Sequence, residues 1–213
     1  AQLGEIERAM RDHESDFAEA LQKDLGKCRF EAVMTEMSFV EQEAKYARKH
    51  LRNWMRHTRV RTPMMAQPGR SYIEPEPKGV VLIIAPWNYP MSMVAAPLVG
   101  AVAAGNCAVM KPSEVTSHTS AALAAILPRY LDKDAFAVVE GAIPETTELL
   151  EQKFDHILYT GNERVAKIVM TAAAKHLTPV TLELGGKSPC LIDKSADLDV
   201  AASRIAWGKF INA

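Results

Sequence analysis

From residue 78 onward, short apolar segments alternate with segments of helical pattern, and this alternation limits the possible folds more than any other feature. The predicted strands are Val80–Ile84, Ala108–Met110, Ala135–Val139, His156–Tyr159, Pro179–Leu184 and Pro189–Ile192. The predicted helices are Met91–Ala104, Ser117–Leu131, Pro144–Gln152, Asn162–Ala174 and Leu198–Phe210. Strands joined by single helices indicate βαβ units, in which helices cover both faces of a parallel sheet. The sequence therefore predicts an α/β fold with a doubly wound, Rossmann-like parallel sheet.

Residues 1–61 are predicted to form a helical segment ahead of the sheet. Apolar residues recur at steps of three and four, or multiples of them, over Leu3–Leu25, and Gly26 follows as a stop signal. A second stripe of this kind runs over Val33–Trp54. Its heptad-like spacing is compatible with a coiled coil or with a helix packed on its own domain. The second interpretation is favoured because the stripe is short and includes two alanines.

Proline separates this helical segment from the sheet. Residues 62–77 are rich in proline, which suits a linker or an edge hairpin because proline cannot donate a hydrogen bond within a central strand. Residues 78–197 then form the predicted dinucleotide-binding domain, and residues 198–213 begin a further domain.

The charge balance gives no reason to expect a nucleic-acid partner. The formal net charge is −1, so no long-range field should attract nucleic acid or an anionic membrane. The uncharged run 79–110 is long enough to cross a bilayer. The prolines and asparagines within that run nevertheless favour a buried strand, a loop and a buried helix.

Cysteine and histidine positions favour a reducing compartment and no metal site. Cys28, Cys107 and Cys190 are odd in number and far apart, which argues against disulfides and for the cytoplasm. The charged, amphipathic Ala1–Ala20 has no signal-peptide pattern. Each cysteine is expected to be a buried packing residue, although Cys190 is close enough to Glu183 in sequence to keep a nucleophilic role open. The histidines show no ligand spacing, so no metal is expected.

Polar groups or glycine follow several of the predicted strands. Ligands of doubly wound sheets bind beyond the carboxyl ends of the strands. The residues at or just after such ends are Asn88, Lys111, Gly161 and Glu183. Each has an ordinary structural explanation, and their joint placement is what indicates one site.

Asn88 and Glu183 are the candidate catalytic residues. The side-chain amide of Asn88 offers N–H donors without a charge, which suits an oxyanion, although asparagine near proline is also common in turns. Glu183 lies between Leu182 and Leu184, so its carboxylate is expected to be partly desolvated and to act as a general base. The structural alternative is a strand-end glutamate that pairs with Lys187.

The candidate cofactor-binding residues form two pairs, and the members of each pair are close together in the sequence. Lys111 and Glu114 combine a donor and an acceptor that suit ribose hydroxyls, and the alternative is a helix start with Ser113 as its N-cap. Gly161 and Asn162 begin a helix directly after a strand, a place that attracts pyrophosphate. The usual dinucleotide fingerprint, G-x-G-x-x-G, is absent.

Four short motifs, in their order and spacing, resemble the aldehyde dehydrogenase superfamily. They are Ala85–Pro90, Met110–Glu114, Tyr159–Gly161 and Glu183–Lys187. The run 167–183 and the short N-terminus are similar to the class 3 group, which includes fatty aldehyde dehydrogenases. The resemblance covers essentially the whole chain and corresponds to the N-terminal half of such an enzyme.

The resemblance implies NAD(P)-dependent oxidation of aldehydes to carboxylic acids through a cysteine thiohemiacetal and thioester. In this scheme Asn88 holds the oxyanion and Glu183 activates water. NAD is the expected cofactor, with NADP as the alternative, because a carboxylate facing the ribose repels a 2′-phosphate. The residues that the resemblance places around the cofactor are Pro86, Trp87, Lys111, Glu114, Gly161, Asn162 and Gly185.

The resemblance further implies a small-molecule aldehyde substrate and a homodimer, to which residues 62–77 contribute part of an arm. Residues 198–213 would begin the catalytic domain, and the nucleophilic cysteine is expected just beyond Ala213. Membrane attachment is expected only where a C-terminal tail follows. The alternatives are a non-catalytic nucleotide-binding or structural fragment and an acyl-group reductase on the same fold. The reductase needs no water-activating base, so Glu183 argues against it.

Overall fold

The computed structural model describes residues 1–211 and begins with a group of helices. They are α1 Gln2–Asp12, α2 Glu14–Leu25, α3 Arg29–Ala32 and α4 Ser38–Trp54, with a π-helical turn, Val33–Met37, directly before α4. The first predicted helix is two helices, because the chain departs from helical geometry at His13. Gly26 ends α2 in the left-handed conformation (φ 68°), as its stop signal predicted.

A two-stranded antiparallel hairpin follows these helices. Its strands are β1 Thr58–Val60 and β2 Ser71–Ile73, and a short 3-10 turn, Met64–Ala66, lies between them. Of the two interpretations of the proline-rich segment, the hairpin is the one observed. The helices end at Trp54, so the hairpin begins before residue 62.

Five parallel strands form the centre of the fold, in the order β5-β4-β3-β6-β7. They are β3 Val80–Ile84, β4 Cys107–Lys111, β5 Phe136–Val138, β6 His156–Gly161 and β7 Val180–Leu184. The chain starts in the middle at β3, adds β4 and β5 on one side, and then adds β6 and β7 on the other. The predicted Rossmann-like parallel sheet is confirmed.

Helices cover both faces of this sheet. They are α5 Ser92–Ala103, α6 Ser117–Ile126, α7 Ile143–Glu151 and α8 Glu163–Ala174, and α9 Leu198–Phe210 follows the last strand. On one face, Val81 and Ile83 join a core with α5, α6 and the N-terminal helices. On the other face, Leu82 and Ile84 join a second core with α7 and α8. Successive residues of β3 enter different cores, which explains why all four are apolar.

Two further predicted elements differ in the structure. Pro189–Ile192 is exposed coil rather than a strand, because Pro189 cannot donate to a ladder and no described strand lies beside this segment. The helix predicted over 117–131 ends at Ile126 and continues as a 3-10 turn, Leu127–Arg129. Pro128 causes this change because it has no N–H for the next α-helical hydrogen bond.

The uncharged run 79–110 folds as a strand, a loop, a helix and most of a second strand, as expected. No helix within residues 1–211 is both long and apolar enough to cross a membrane. α9 buries none of its residues. The last two residues of the predicted domain 198–213 lie outside the described residues.

Candidate functional site

The carboxyl ends of neighbouring strands bring the candidate residues to one edge of the sheet. In the strand register, Ile84 is level with Lys111 on one side and with Tyr159 on the other, and Tyr159 is level with Leu182. The other candidates at or just beyond this level are Asn88, Gly161 and Glu183. The chain adds β4 and β5 on one side of β3 and then β6 and β7 on the other, so the direction of strand addition reverses at β3. Doubly wound sheets bind their ligands at such a point.

The loop after β3 carries Asn88 at this edge. Ala85 at its start donates its N–H to the carbonyl of Lys111 (3.1 Å), which ties the loop to β4. Trp87 is exposed and Asn88 is half-buried. Within residues 1–211 the side-chain amide of Asn88 makes no hydrogen bond, and the contact that this residue does make uses its backbone carbonyl. The donors of the amide are therefore available to a ligand.

A buried ion pair, which sequence reasoning missed, holds this loop. Nζ of Lys27 lies 2.7 Å from Oε1 of Glu36, and the two side chains are 4% and 0% exposed. Lys27 also donates to the backbone carbonyl of Asn88 (3.0 Å) and lies over the ring of Tyr89, 4.2 Å from its centroid. The loop that presents Asn88 therefore rests on a charge pair from the N-terminal helices.

One signal in the sequence could have indicated this pair. Glu36 follows Val33 by three residues and precedes Val40 by four, so it lies on the apolar face of the second helical stripe. A carboxylate on such a face requires a cation or several hydrogen-bond donors. No comparable sign marks Lys27, which follows the helix stop at Gly26.

Lys111 ends β4 and is only 2% exposed. Its Nζ donates to the carbonyl of Pro112 (2.5 Å) and lies 3.3 Å from Oε2 of Glu114. About half of the Glu114 side chain is exposed. The two residues that were predicted to bind a ribose thus lie together, as a buried cation beside an accessible carboxylate.

The helix after this pair does not begin at Ser113, whose hydroxyl accepts the N–H of Val115 (3.3 Å) in a turn. The carboxylate of Asp24, on α2, caps α6 instead. It accepts the N–H of His118 (3.1 Å) and both the N–H and the hydroxyl of Thr119 (2.7 Å each). The interpretation of Ser113 as the N-cap is wrong because a side chain from a distant helix takes that role.

The surroundings of Asp24 favour its charged form. Burial acts to raise its pKa, but the hydrogen bonds from Thr119 and His118 outweigh burial and hold the pKa below its ordinary value. The carboxylate also faces the positive end of the α6 dipole. The start of α6, directly after the loop with Lys111 and Glu114, is therefore anchored by a charge.

Gly161 ends β6, and Asn162 joins it to α8. Oδ1 of Asn162 accepts the N–H of Val165 (3.0 Å), so this side chain caps α8. A side chain at position 161 would collide with the ring and hydroxyl of Tyr159, and that hydroxyl donates to the carbonyl of Asn162 (3.3 Å). Glycine is therefore required at 161 by the packing of Tyr159. First-turn N–H groups of α8 that Asn162 does not use remain suited to an anion.

Glu183 and Gly185 lie on the open side of the edge. Glu183 is opposite Thr160 in the register of β6 and β7, and β7 is the last strand on this side of the sheet. Glu183, Leu184 and Gly185 are exposed. The expected partial desolvation of Glu183 is wrong for residues 1–211, because the described residues after β7 are themselves exposed and do not cover it.

The expected burial of the cysteines is wrong for two of the three. Cys28 is exposed because it precedes the short helix α3 at the surface, and Cys190 is exposed in the coil after β7. Cys107 is half-buried at the start of β4. All three are free thiols. In the described part of the chain, no group of three or more histidine, cysteine or acidic side chains is placed to hold a metal.

Comparisons with known proteins identify the family of this chain. The family model described as "Aldehyde dehydrogenase family" matches residues 1–213. A dog (Canis lupus familiaris) protein named "Aldehyde dehydrogenase, dimeric NADP-preferring" is 52% identical over 212 residues, which cover 100% of this chain and 47% of that protein. The mouse (Mus musculus) "Aldehyde dehydrogenase family 3 member A2" is 51% identical over 211 residues, covering 99% of this chain and 44% of the relative.

A solved structure described as "Substrate bound state of Staphylococcus Aureus AldH" superposes with a TM-score of 0.96 at 47% identity, and the match covers 100% of this chain and 46% of the other. The chain belongs to the aldehyde dehydrogenase family. Within the family its relatives carry family 3 names, so the resemblance to class 3 is confirmed. The chain spans about half the length of the curated relatives that it matches.

Proposed function

We propose that this chain supplies the nucleotide-binding domain, the oxyanion donor and the general base of an NAD(P)-dependent aldehyde dehydrogenase that converts aldehydes to carboxylic acids. The observation that carries the proposal is the convergence of Asn88, Lys111 and Glu183 on the carboxyl edge of one parallel sheet. A neutral donor, a cation and a carboxylate at one edge can bind an oxyanion, a nucleotide and a water. Family membership supports the same reaction.

Asn88 is proposed to donate a side-chain N–H to the oxygen that becomes negative when a thiolate adds to the aldehyde carbonyl. A neutral amide suits this task because it stabilises the oxyanion without pairing with the thiolate. Its support is an amide that is half-buried and free of partners within residues 1–211. Removal of one such donor typically lowers kcat by about 10²–10³.

Glu183 is proposed to take a proton from the water that hydrolyses the thioester. Its carboxylate is exposed at the end of β7 and is therefore accessible to water. An acyl-group reductase needs no such base, so the position of Glu183 favours the oxidative direction.

Lys111 and Glu114 are proposed to bind a ribose of the nicotinamide cofactor, which accepts a hydride when bound. The ammonium donates and the carboxylate accepts, so the pair fits vicinal hydroxyls. Glu114 would repel a 2′-phosphate and Lys111 would attract it, so we expect NAD to be preferred and NADP to be accepted. The dog relative is named NADP-preferring. The other proposed contacts to the cofactor are Pro86, Trp87, Gly161, Asn162 and Gly185.

A homodimer in a reducing compartment such as the cytoplasm is part of the proposal. The hairpin exposes Val60, Tyr72 and Ile73, which suit a protein interface, and the dog relative is named as dimeric. The free thiols Cys28 and Cys190 at the surface suit a reducing compartment. The substrate is a small-molecule aldehyde, and the net charge of −1 gives no reason to expect nucleic acid.

The experiment that tests the proposal uses the protein expressed from its complete reading frame. Binding of NAD and NADP is measured by calorimetry, and nicotinamide reduction is followed with propanal. Both nucleotide binding and reduction are expected. Nucleotide binding without reduction would favour the non-catalytic alternative, and aldehyde formation from an acyl thioester without the forward reaction would favour the reductase.

A further inference from the structure

Lys27 and Glu36 form a buried ion pair that is separate from the residues at the strand ends. Their side chains are 4% and 0% exposed, and their charged atoms are 2.7 Å apart. Burial of two charges costs free energy that their attraction often fails to recover in full. Stability alone is therefore a weak explanation for this pair, and its other contacts indicate a different role.

Those other contacts hold the backbone directly after the Asn88 side chain. Oε2 of Glu36 accepts the N–H groups of Met91 (2.9 Å) and Ser92 (3.0 Å), where α5 begins. Nζ of Lys27 donates to the carbonyl of Asn88 itself (3.0 Å). The ion pair joins these two points of attachment, so the loop between them is fixed by one continuous hydrogen-bonded unit.

Glu36 also acts as a charged cap for α5. The first N–H groups of a helix have no partner within the helix, and a carboxylate beside them is favoured by the helix dipole. Burial, followed by the charges of Glu31 and Glu36, raises the pKa of Tyr89, whose ring lies under the ammonium of Lys27. The carboxylate of Glu36 thus faces N–H donors, and the ammonium of Lys27 faces an aromatic ring.

Each member of the ion pair lies at an unusual feature of the backbone. Gly26 is left-handed (φ 68°), which reverses the chain after α2 directly before Lys27. Glu36 belongs to the π-helical turn Val33–Met37. Turns of this kind change the phase of a helix and are frequent at functional sites.

We propose that Lys27 and Glu36 are positioning residues that aim the Asn88 amide at the oxyanion. The inference rests on the proposed role of Asn88 as the donor. An effective donor stands about 2.7–3.1 Å from the oxyanion, and a displacement of about 1 Å can lower the rate about 100-fold. By holding the carbonyl of Asn88 and the N–H groups at the start of α5, the pair limits this displacement without touching the substrate.

The test is a double-mutant cycle in the protein expressed from its complete reading frame, read as the single-turnover rate of NAD reduction with propanal. Glu36→Gln removes the charge that holds Lys27 but keeps an oxygen for the N–H groups of α5. We expect about a tenfold loss of rate in the wild-type background and less than about a twofold further loss in the Asn88→Ala background. The Kd for NAD should stay within about twofold of the wild-type value in both.

Each outcome of this cycle decides between roles. Equal losses in the two backgrounds would show that Glu36 acts on the structure in general, and the proposal would be overturned. A wild-type rate in Glu36→Gln would overturn it as well. A wild-type rate in Asn88→Ala combined with a loss in Glu36→Gln would instead refute the proposed role of Asn88, which separates the two failures.

Glu43→Gln is the matched control, because Glu43 is an exposed carboxylate on α4 in the same helical segment, and it should keep the wild-type rate. Loss of one buried charge can prevent folding, so the paired variant Lys27→Met/Glu36→Gln removes both charges together. This variant is expected to show a cooperative thermal unfolding transition and the same loss of rate. The loss should again be absent in the Asn88→Ala background. A folded paired variant with full rate would refute positioning by the charge pair.

Discussion

The helices that follow β3 and β4 are capped in a different way from the helices that follow β6 and β7, on the other side of the sheet. α5 and α6, which follow β3 and β4, are capped by carboxylates of the N-terminal helical segment, Glu36 and Asp24. These contacts join residues that are 55 and 95 positions apart. α8 and α9, which follow β6 and β7, are capped by their own preceding residues, Asn162 and Asp197. The side with the proposed oxyanion donor therefore depends on a distant segment, and the side with the proposed base does not.

This difference has a physical consequence for the site. A loop held by caps from another segment changes position when that segment is disturbed, so substitutions in the N-terminal helices should reach Asn88. Around Glu183 the described residues are exposed, and the nearby helices are capped by the residues directly before them. Substitutions there should affect the chemistry of single groups without a large effect on the free energy of unfolding.

The largest effect is expected for Glu183→Gln, on the exposed side. Loss of the proposed base should lower steady-state turnover about 10³-fold, while the first turnover of NAD reduction stays fast. The melting temperature of the 213-residue chain should not change, because the carboxylate is exposed there. Rapid mixing separates the two phases, and Glu148→Gln, an exposed carboxylate on α7, is the control. If Glu183→Gln lowered the melting temperature as well as the turnover, the proposed difference between the two sides would be contradicted.

A truncation in each region tests the same comparison through stability. Leu21 on α2 is 0% exposed and Leu184 on β7 is 44% exposed. Leu21→Ala should lower the free energy of unfolding by about 3 kcal/mol, because it removes buried contacts and leaves a cavity. Leu184→Ala should change it by less than about 0.5 kcal/mol. Urea unfolding of the 213-residue chain measures both, and equal losses would contradict the distinction.

The distant cap and the local cap should differ in the same direction. Asp24→Asn weakens a carboxylate that accepts several hydrogen bonds, and we expect a loss of about 2 kcal/mol in the free energy of unfolding. Asn162→Ala removes one local cap, with an expected loss of about 1 kcal/mol. Hydrogen exchange should accelerate at the N–H groups of His118 and Thr119 only in the first variant. Acceleration there in Asn162→Ala would show that the two sides are not independent.

The contribution of Asp24 should depend on pH with a defined sign. Its pKa in the folded protein lies below the ordinary value, so the charged carboxylate stabilises the fold above about pH 4. This contribution is lost as the pH falls through the folded pKa. The difference in stability between the wild-type protein and Asp24→Asn should therefore be full at pH 7 and smaller below about pH 4. A difference that grows on acidification would contradict the assignment.

The smallest effect is expected for Glu114→Gln. Removal of this half-exposed charge should raise the affinity for NADP relative to NAD by about threefold, because one repulsive charge near the 2′-phosphate is lost. The ratio of the two Kd values, measured by calorimetry, should approach the wild-type ratio at high salt. Glu140→Gln, an exposed carboxylate beyond β5, is the control. An unchanged ratio at low salt would remove Glu114 from cofactor selection.

The strands could be predicted where burial imposes a pattern. Val80–Ile84 is apolar along its length because its residues enter two cores, and the alternation with helices indicated parallel pairing. Pro189–Ile192 has a similar composition but is coil, because a strand also requires a neighbour with free backbone groups. Composition carries no information about that neighbour.

Within the candidate site, the order of motifs placed Asn88, Lys111 and Glu183 at strand ends, and the structure has each of them there. The exposure of Glu183 could not be predicted from Leu182 and Leu184, because burial depends on what packs over a strand rather than on its sequence neighbours. The need for glycine at 161 was equally hidden, since it arises from the position of the Tyr159 ring.

By itself, the sequence determined the family, the parallel sheet and the residues at its carboxyl edge, because hydrophobic periodicity and short motifs are local properties of the chain. Only the tertiary structure decided that Lys27 and Glu36 hold the Asn88 loop and that Asp24 caps α6. The apolar face around Glu36 marks its need for a partner, but nothing local to Lys27, Glu36 or Asp24 identifies the partner that each will meet. These partners lie 55 to 95 positions away, and packing of the N-terminal helices against the sheet brings them together.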